Sequence, residues 1–190
     1  MRKALAFAVL VVAAMLVTAC GGTTPTPTTS PAPTAAVLPF TSAVGGFSVL
    51  SPVTLTETTE TAETEVGNLE VHTFQGVSGA FSYFVVYSDY PESFGAVDAA
   101  GFLASARDGQ VNSTGGSLVM DGPVTLSGVQ GRDIGIKTET EDGQPVVLRS
   151  RLYWAPTRLY QVMVLAPEGS EDDDAVSAFL ESFKLTDRAN

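Results

Sequence analysis

The chain has 190 residues, with 21 acidic and 10 basic side chains, a formal net charge of −11, one histidine and one cysteine. An excess of carboxylates repels phosphate backbones, and no Lys/Arg cluster with interleaved aromatics is present, which excludes nucleic acid as a partner class. A lone cysteine forms no intramolecular disulfide, and a lone histidine leaves a zinc site without further nitrogen or sulfur ligands.

Arg2 and Lys3 form a short positive segment, and Ala4 to Val17 then runs fourteen residues without a polar side chain. A bilayer-spanning helix needs about 20 apolar residues and the core of an export signal about 7 to 15, so the length predicts an export signal over residues 1–19. Val17-Thr18-Ala19-Cys20 follows directly, with a branched residue three before the cysteine and small residues between. This stretch resembles the lipobox of bacterial lipoproteins. The resemblance implies cleavage before Cys20 and a diacylglycerol thioether on its sulfur, a lipid attachment that ties the chain to the membrane on its extracytoplasmic face. The alternative is an ordinary secretory signal with a cysteine nearby by chance. A nucleophilic thiol would need a base beside it in a folded site, and a flexible tract follows instead. Each buried methylene contributes about 0.8 kcal/mol, so one acyl chain binds marginally and two or three hold firmly. Without Arg2 and Lys3, eight basic residues face twenty-one acidic ones, a net charge of −13.

Residues 20–39 form the lipidated cysteine and a stalk. Gly21 to Ala36 contains four prolines and six threonines and no apolar periodicity, a composition that favours a disordered, extended spacer. At about 3.1 Å per residue it holds the rest of the chain up to ~50 Å from the membrane. Its PxxP spacing also matches ligands of SH3-type domains; an extracytoplasmic tether favours the spacer. Residues 40–187 suffice for a single globular domain that buries about two-thirds of its unfolded surface, expected as a monomer.

Within that domain, Gly45 to Pro52 reads as a strand stopped by proline. Val53 to Glu65, threonine-rich and polar, reads as an exposed edge strand blunted by glutamates. Leu69 to Val77 and Ala80 to Pro91 are the next strands. Ala99, Phe102, Leu103 and Ala106 fall at helical spacing, so a helix is predicted over 97–108 with Gly109 as its stop and Asn112 to Gly116 as a loop. In "GRDIGIKTETEDGQPVVLRSRLYW" the side-chain pattern selects a three-residue turn, Glu141-Asp142-Gly143, with Gly143 left-handed. That register pairs Ile136 with Leu148 and Asp133 with Arg151, and a one-residue slip would exchange the faces. Ala155 to Thr157 turns the chain into "RLYQVMVLAP", completing a three-strand meander. Val176, Phe179, Leu180 and Phe183 predict a closing helix with Ser170 as N-cap and Asp172 to Asp174 at its positive end. The elements amount to an α+β domain with an antiparallel sheet of about six to seven strands.

The opening "F-x-V-x-x-P", the meander ending in "RLYQVMV" and the closing "FLESFKL" resemble the PsbP-like family, which includes LpqN-type lipoproteins, over most of Phe47 to Leu185. The resemblance implies an α/β sandwich in which helices cover the sheet, and a non-enzymatic domain that docks onto or assists membrane complexes. It carries over no catalytic residue and no cofactor.

The residues offer little chemistry of their own. His72 shares a strand face with Glu70 and Phe74, and Ser78 in "GVSGA" lacks the second glycine of a nucleophile elbow, so a hydrolase is the least favoured reading. The acidic runs Glu139 to Asp142 and Glu171 to Asp174 lack a calcium-loop pattern, and no phosphate-binding glycine loop is present, so no cofactor is expected. Arg149, Arg151 and Tyr153 share one face of a central strand. They read either as a half-buried polar face with ion pairs such as Asp133–Arg151 or as a groove for an anionic or peptide ligand. The expected function is a non-catalytic docking or assembly lipoprotein with a protein partner at the membrane; the alternative is a lipoprotein binding a small anion or an ion.

Overall fold

A computed structural model describes residues 37–64, 67–92 and 97–186. The export signal, Cys20 and the Gly21 to Ala36 stalk lie outside the described residues. Ten strands form two antiparallel sheets. The larger contains β3 (Thr56–Thr64), β4 (Gly67–Ser78), β5 (Phe81–Asp89), β6 (Ser117–Leu126), β7 (Val129–Glu139), β8 (Pro145–Ala155) and β9 (Arg158–Pro167), in spatial order β3-β4-β5-β9-β8-β7-β6. The smaller runs β1-β2-β10, from β1 (Leu38–Ser42), β2 (Phe47–Ser51) and β10 (Lys184–Leu185). Helix α1 (Ala99–Thr114) carries the chain from β5 to the far edge, where β6 begins, and β9 then fills the place beside β5.

Sequence pattern follows position. β9 is apolar on both sides and almost wholly buried because both faces of the sheet are covered at its centre. On one face α1 packs on β7 and β8 through Phe102, Leu103 and Ala106, against Ile134, Ile136, Leu152 and Met163. On the other, helix α2 (Asp174–Ser182) and the small sheet bury Val176, Phe179, Leu180, Phe47 and Val49 against Tyr83, Val85, Tyr160 and Val162. Each of these large side chains contributes about 1.5–3 kcal/mol by leaving water. At the β3 end the threonines and glutamates are exposed, as expected of an edge.

The 136/148 and 133/151 pairings occur as predicted, with Gly143 at φ +73° in the turn. The α+β class holds, and the main sheet has seven strands. Three expectations need correction. Gly109 does not stop α1: it is buried in the helix interior on the stripe of Phe102, Ala106 and Gln110. The stop is Gly115 at φ +61°, whose N–H donates to the Asn112 carbonyl, so Asn112 to Thr114 are helical and not a loop. Ser170 does not cap α2; it lies in the preceding turn, and Asp173 occupies the N-cap position. β1 begins at Leu38, two residues inside the stretch expected to be stalk, because Phe40 packs on Phe74 with ring centroids 5.4 Å apart. β6 is not among the strands predicted from the sequence. It joins β7 through Ser127 and Gly128, both with positive φ, the two-residue turn that suits strand twist.

Candidate functional site

Arg149, Arg151 and Tyr153 occupy alternate positions of β8, so strand geometry puts them on one face, the face that α2 covers. Asp133 on β7 lies opposite Arg151. The Arg151 Nε donates to Asp133 Oδ2 at 3.0 Å, and Arg149 Nη2 donates to Asp133 Oδ1 at 3.4 Å. Two half-buried guanidiniums therefore share one close carboxylate. Arg149 Nη1 reaches Asp172 Oδ1 at 3.2 Å and the Glu171 carbonyl at 3.4 Å, and Glu181 stands 4.0 Å from Arg151. Tyr153 shares the face but not the surface: it is 2% exposed, with its ring stacked on Phe183 at 5.8 Å. Burial pushes its phenol above the ordinary value. Burial likewise raises Tyr83 and Tyr87, and moves Tyr90 up to about 12, so none of these four phenols titrates near neutral pH.

Two further arginine centres appear that the sequence pattern did not single out. Arg158, 4% exposed at the start of β9, donates from Nε to Asp89 Oδ1 at 2.6 Å and from Nη2 to Asp89 Oδ2. Its Nη1 reaches the carbonyls of Val44 at 3.0 Å and Gly45 at 2.6 Å, and the guanidinium lies 4.1 Å from the Tyr87 ring centre. Burial alone would lower its pKa; the Asp89 carboxylate and the Tyr160 hydroxyl together outweigh that and hold it above the ordinary value. No local pattern pointed to it, because Asp89 and Arg158 become cross-strand partners only through the pairing of β5 with β9. On the α1 side, Asp121 accepts from Arg132 Nε at 2.9 Å and from Arg107 Nη1 at 2.5 Å. The hydrogen bond from Arg132, with that from Arg107, holds the Asp121 carboxyl below the usual aspartate range. Beside this pair lies an open cavity of about 200 Å³ lined by Ala100, Leu103, Pro123, Gln130 and Arg132, smaller than the roughly 300–1,000 Å³ of most small-molecule sites.

His72 stacks on Tyr87 at 4.4 Å, with Nδ1 3.1 Å from Thr59 Oγ1 and 3.3 Å from Glu57 Oε1. Ser78 is on the same strand six residues away, about 20 Å at ~3.3 Å per residue, so the two cannot act as nucleophile and base. Among the described residues no group of three or more His, Cys, Asp or Glu could hold a metal ion, and no helix is long and apolar enough to cross a membrane.

No family model matches the chain, and no curated protein is similar to it in sequence. Among solved structures, the solution structure of cyanobacterial PsbP (CyanoP) from Synechocystis is similar with a TM-score of 0.54 at 10% identity, covering 84% of this chain and 98% of that one. The chain has a PsbP-like fold. A Pseudomonas aeruginosa protein of unknown function is similar over 60% of this chain and 85% of its own, with a TM-score of 0.41 at 14% identity. At such identity the PsbP-like fold carries an architecture of sheet and covering helices, and no residue roles.

Proposed function

We propose that this chain is a membrane-tethered, non-catalytic docking domain, held at the extracytoplasmic face by lipid on Cys20 at the end of its stalk. The observation that carries the reading is the internal use of its cations. Arg149 and Arg151 are drawn to Asp133, Arg158 to Asp89, and Arg107 and Arg132 to Asp121, on a PsbP-like architecture whose tyrosines are sealed in the core. Groups engaged in this way fix strands to one another and leave surface, not a reactive recess, for contact with other molecules. Membrane fractionation with labelled palmitate tests the tether: the wild type should label and sediment with membranes, and Cys20→Ser should do neither. Unchanged labelling of Cys20→Ser would end the proposal.

A second reading, a small-anion site at Arg149 and Arg151, has one observation in its favour: Arg149 Nε is buried without a partner while Asp133 serves two guanidiniums. Around it, however, stand Glu171, Asp172 and Glu181, which repel anions. Thermal shift against citrate and phosphate should give no stabilisation on the docking reading, and a saturable rise in Tm on this one.

A further inference from the structure

The two edges of the seven-stranded sheet are defended by different means. β6 is interrupted by its own backbone: Pro123 lacks an N–H, and the register shifts between Leu118 and Met120. β3 has neither device. It pairs residue for residue with β4 from Thr56↔Gln75 to Thr64↔Gly67, without proline or bulge, and among the described residues β4 is the one strand beside it. Seven of its nine residues are exposed, and from Thr56 to Glu63 the strand presents a row of backbone donors and acceptors about 26 Å long on the side turned from β4.

What guards this edge is charge alone. Glu57, Glu60 and Glu63 project from β3 and Glu70 from β4, and no ion pair among the described residues brings a Lys or Arg to any of them. The nearest basic group is His72, 3.3 Å from Glu57 and 4.0 Å from Glu70. A charge guard is conditional where a proline is not. It repels a second copy of this chain, whose net charge is −11 and whose own edge carries the same glutamates. Glu57 and Glu63 share one face of the edge with Glu70, and Glu60 lies on the other. The edge attracts a strand bearing Lys or Arg at alternate positions, which would set cations beside Glu57 and Glu63 while completing the ladder.

We infer that β3 is a docking edge for an extended, basic segment of a partner protein, which adds to the sheet as an eighth strand beside Thr56–Thr64. This rests on the docking reading above and supplies the chemistry of the partner. The probe is a fluorescein-labelled peptide of the same nine-residue length as β3, with lysine alternating with valine, titrated into the full chain at low salt. Three companions isolate the terms: the glutamate analogue, an analogue N-methylated along its pairing side, and the variant Glu57→Gln/Glu60→Gln/Glu63→Gln.

The lysine peptide should bind and slow hydrogen exchange of the Thr56–Thr64 amides. The triple variant should weaken it by about fivefold, the sum of the two exposed ion pairs made with Glu57 and Glu63 on the lysine face. The glutamate and N-methylated peptides should not bind. Absence of lysine-peptide binding overturns the proposal, as does protection on other strands. Equal binding of the N-methylated peptide reduces the edge to a charged patch without strand addition and overturns it too. A wild-type dimer joined through β3 in sedimentation would make a second copy the occupant and refute it. Should membrane crosslinking join a partner through another surface while the lysine peptide fails, the docking function stands and this edge does not carry it.

Discussion

The two wings of the sheet handle charge in opposite ways. No Lys or Arg occurs between Lys3 and Arg107, so β3, β4 and β5 contain acidic side chains and His72 but no permanent cation. Arg107, Arg132, Lys137, Arg149 and Arg151 all lie on α1, β7 and β8, and each meets a carboxylate there. In the second wing charge is consumed in fixing structure; in the first it is left for the solvent or for another molecule. One cation joins the two. Arg158 stands at the start of β9 and reaches across to Asp89 on β5.

Removing that link should have the largest effect. Arg158→Met leaves the carbonyls of Val44 and Gly45 without their donor and removes a guanidinium from the Tyr87 face, though Tyr160 still donates to Gly45 at 2.8 Å. With Asp89 exposed enough to be rehydrated, the expected loss is about 3 kcal/mol, read as a lower urea midpoint at constant slope. A loss below 1 kcal/mol would show that the acidic wing holds the 44–45 loop without it.

Next comes the carboxylate that serves two arginines. Asp133→Asn removes the carboxylate shared by two half-buried guanidiniums, leaving Arg149 with Asp172 and Arg151 with the more distant Glu181, an expected loss of about 2 kcal/mol. Replacing the trio together, Asp133→Leu with Arg149→Met and Arg151→Met, should recover most of it, because removing both signs avoids an uncompensated charge. If the triple replacement is worse than the single one, the cluster stabilises the fold on its own account.

These two centres differ in how visible they are in the sequence. Asp133–Arg151 follows from local reasoning, since the hairpin is short and a slip would turn Ile134 and Ile136 outward. Asp89–Arg158 joins residues 69 apart in sequence and depends on the insertion of β9 beside β5, which no periodicity encodes. Tyr153 shows the same divide. Alternation puts it on the face of Arg149 and Arg151, but only the docking of α2 brings Phe183 over it. Gly109 misleads for another reason. A glycine signals a helix end, but the buried stripe of α1 continues through Gly109 to Gln110, so the helix runs on to Thr114. The polarity of β3 was legible because an exposed edge needs no partner to explain it.

A smaller effect separates the wings by pH. Asp121 has a depressed pKa, so its contribution is present in full above the ordinary aspartate range near pH 4 and is lost as pH falls through its lower native value. Asp121→Asn should therefore flatten the acid limb of the stability profile. Near neutral pH it should cost less than about 1 kcal/mol, because exposed ion pairs contribute little. An acid limb identical to the wild type would place the acid sensitivity in another carboxylate.

The smallest effect on stability is expected where the docking proposal is strongest. Glu57, Glu60 and Glu63 are exposed and pair with no Lys or Arg, so changing all three to Gln should move the unfolding free energy by no more than about 0.5 kcal/mol. The salt response should change more clearly. In the wild type like charges on β3 and β4 repel, and salt screens them within about 10 Å, so added NaCl should raise Tm slightly more in the wild type than in the triple variant. Residues that touch neither the core nor a cap, and whose like charges disfavour the edge they stand on, add nothing to the fold. If the triple variant instead loses more than about 1 kcal/mol, the glutamates have a structural task, and their lack of a Lys or Arg partner ceases to argue for a docked strand.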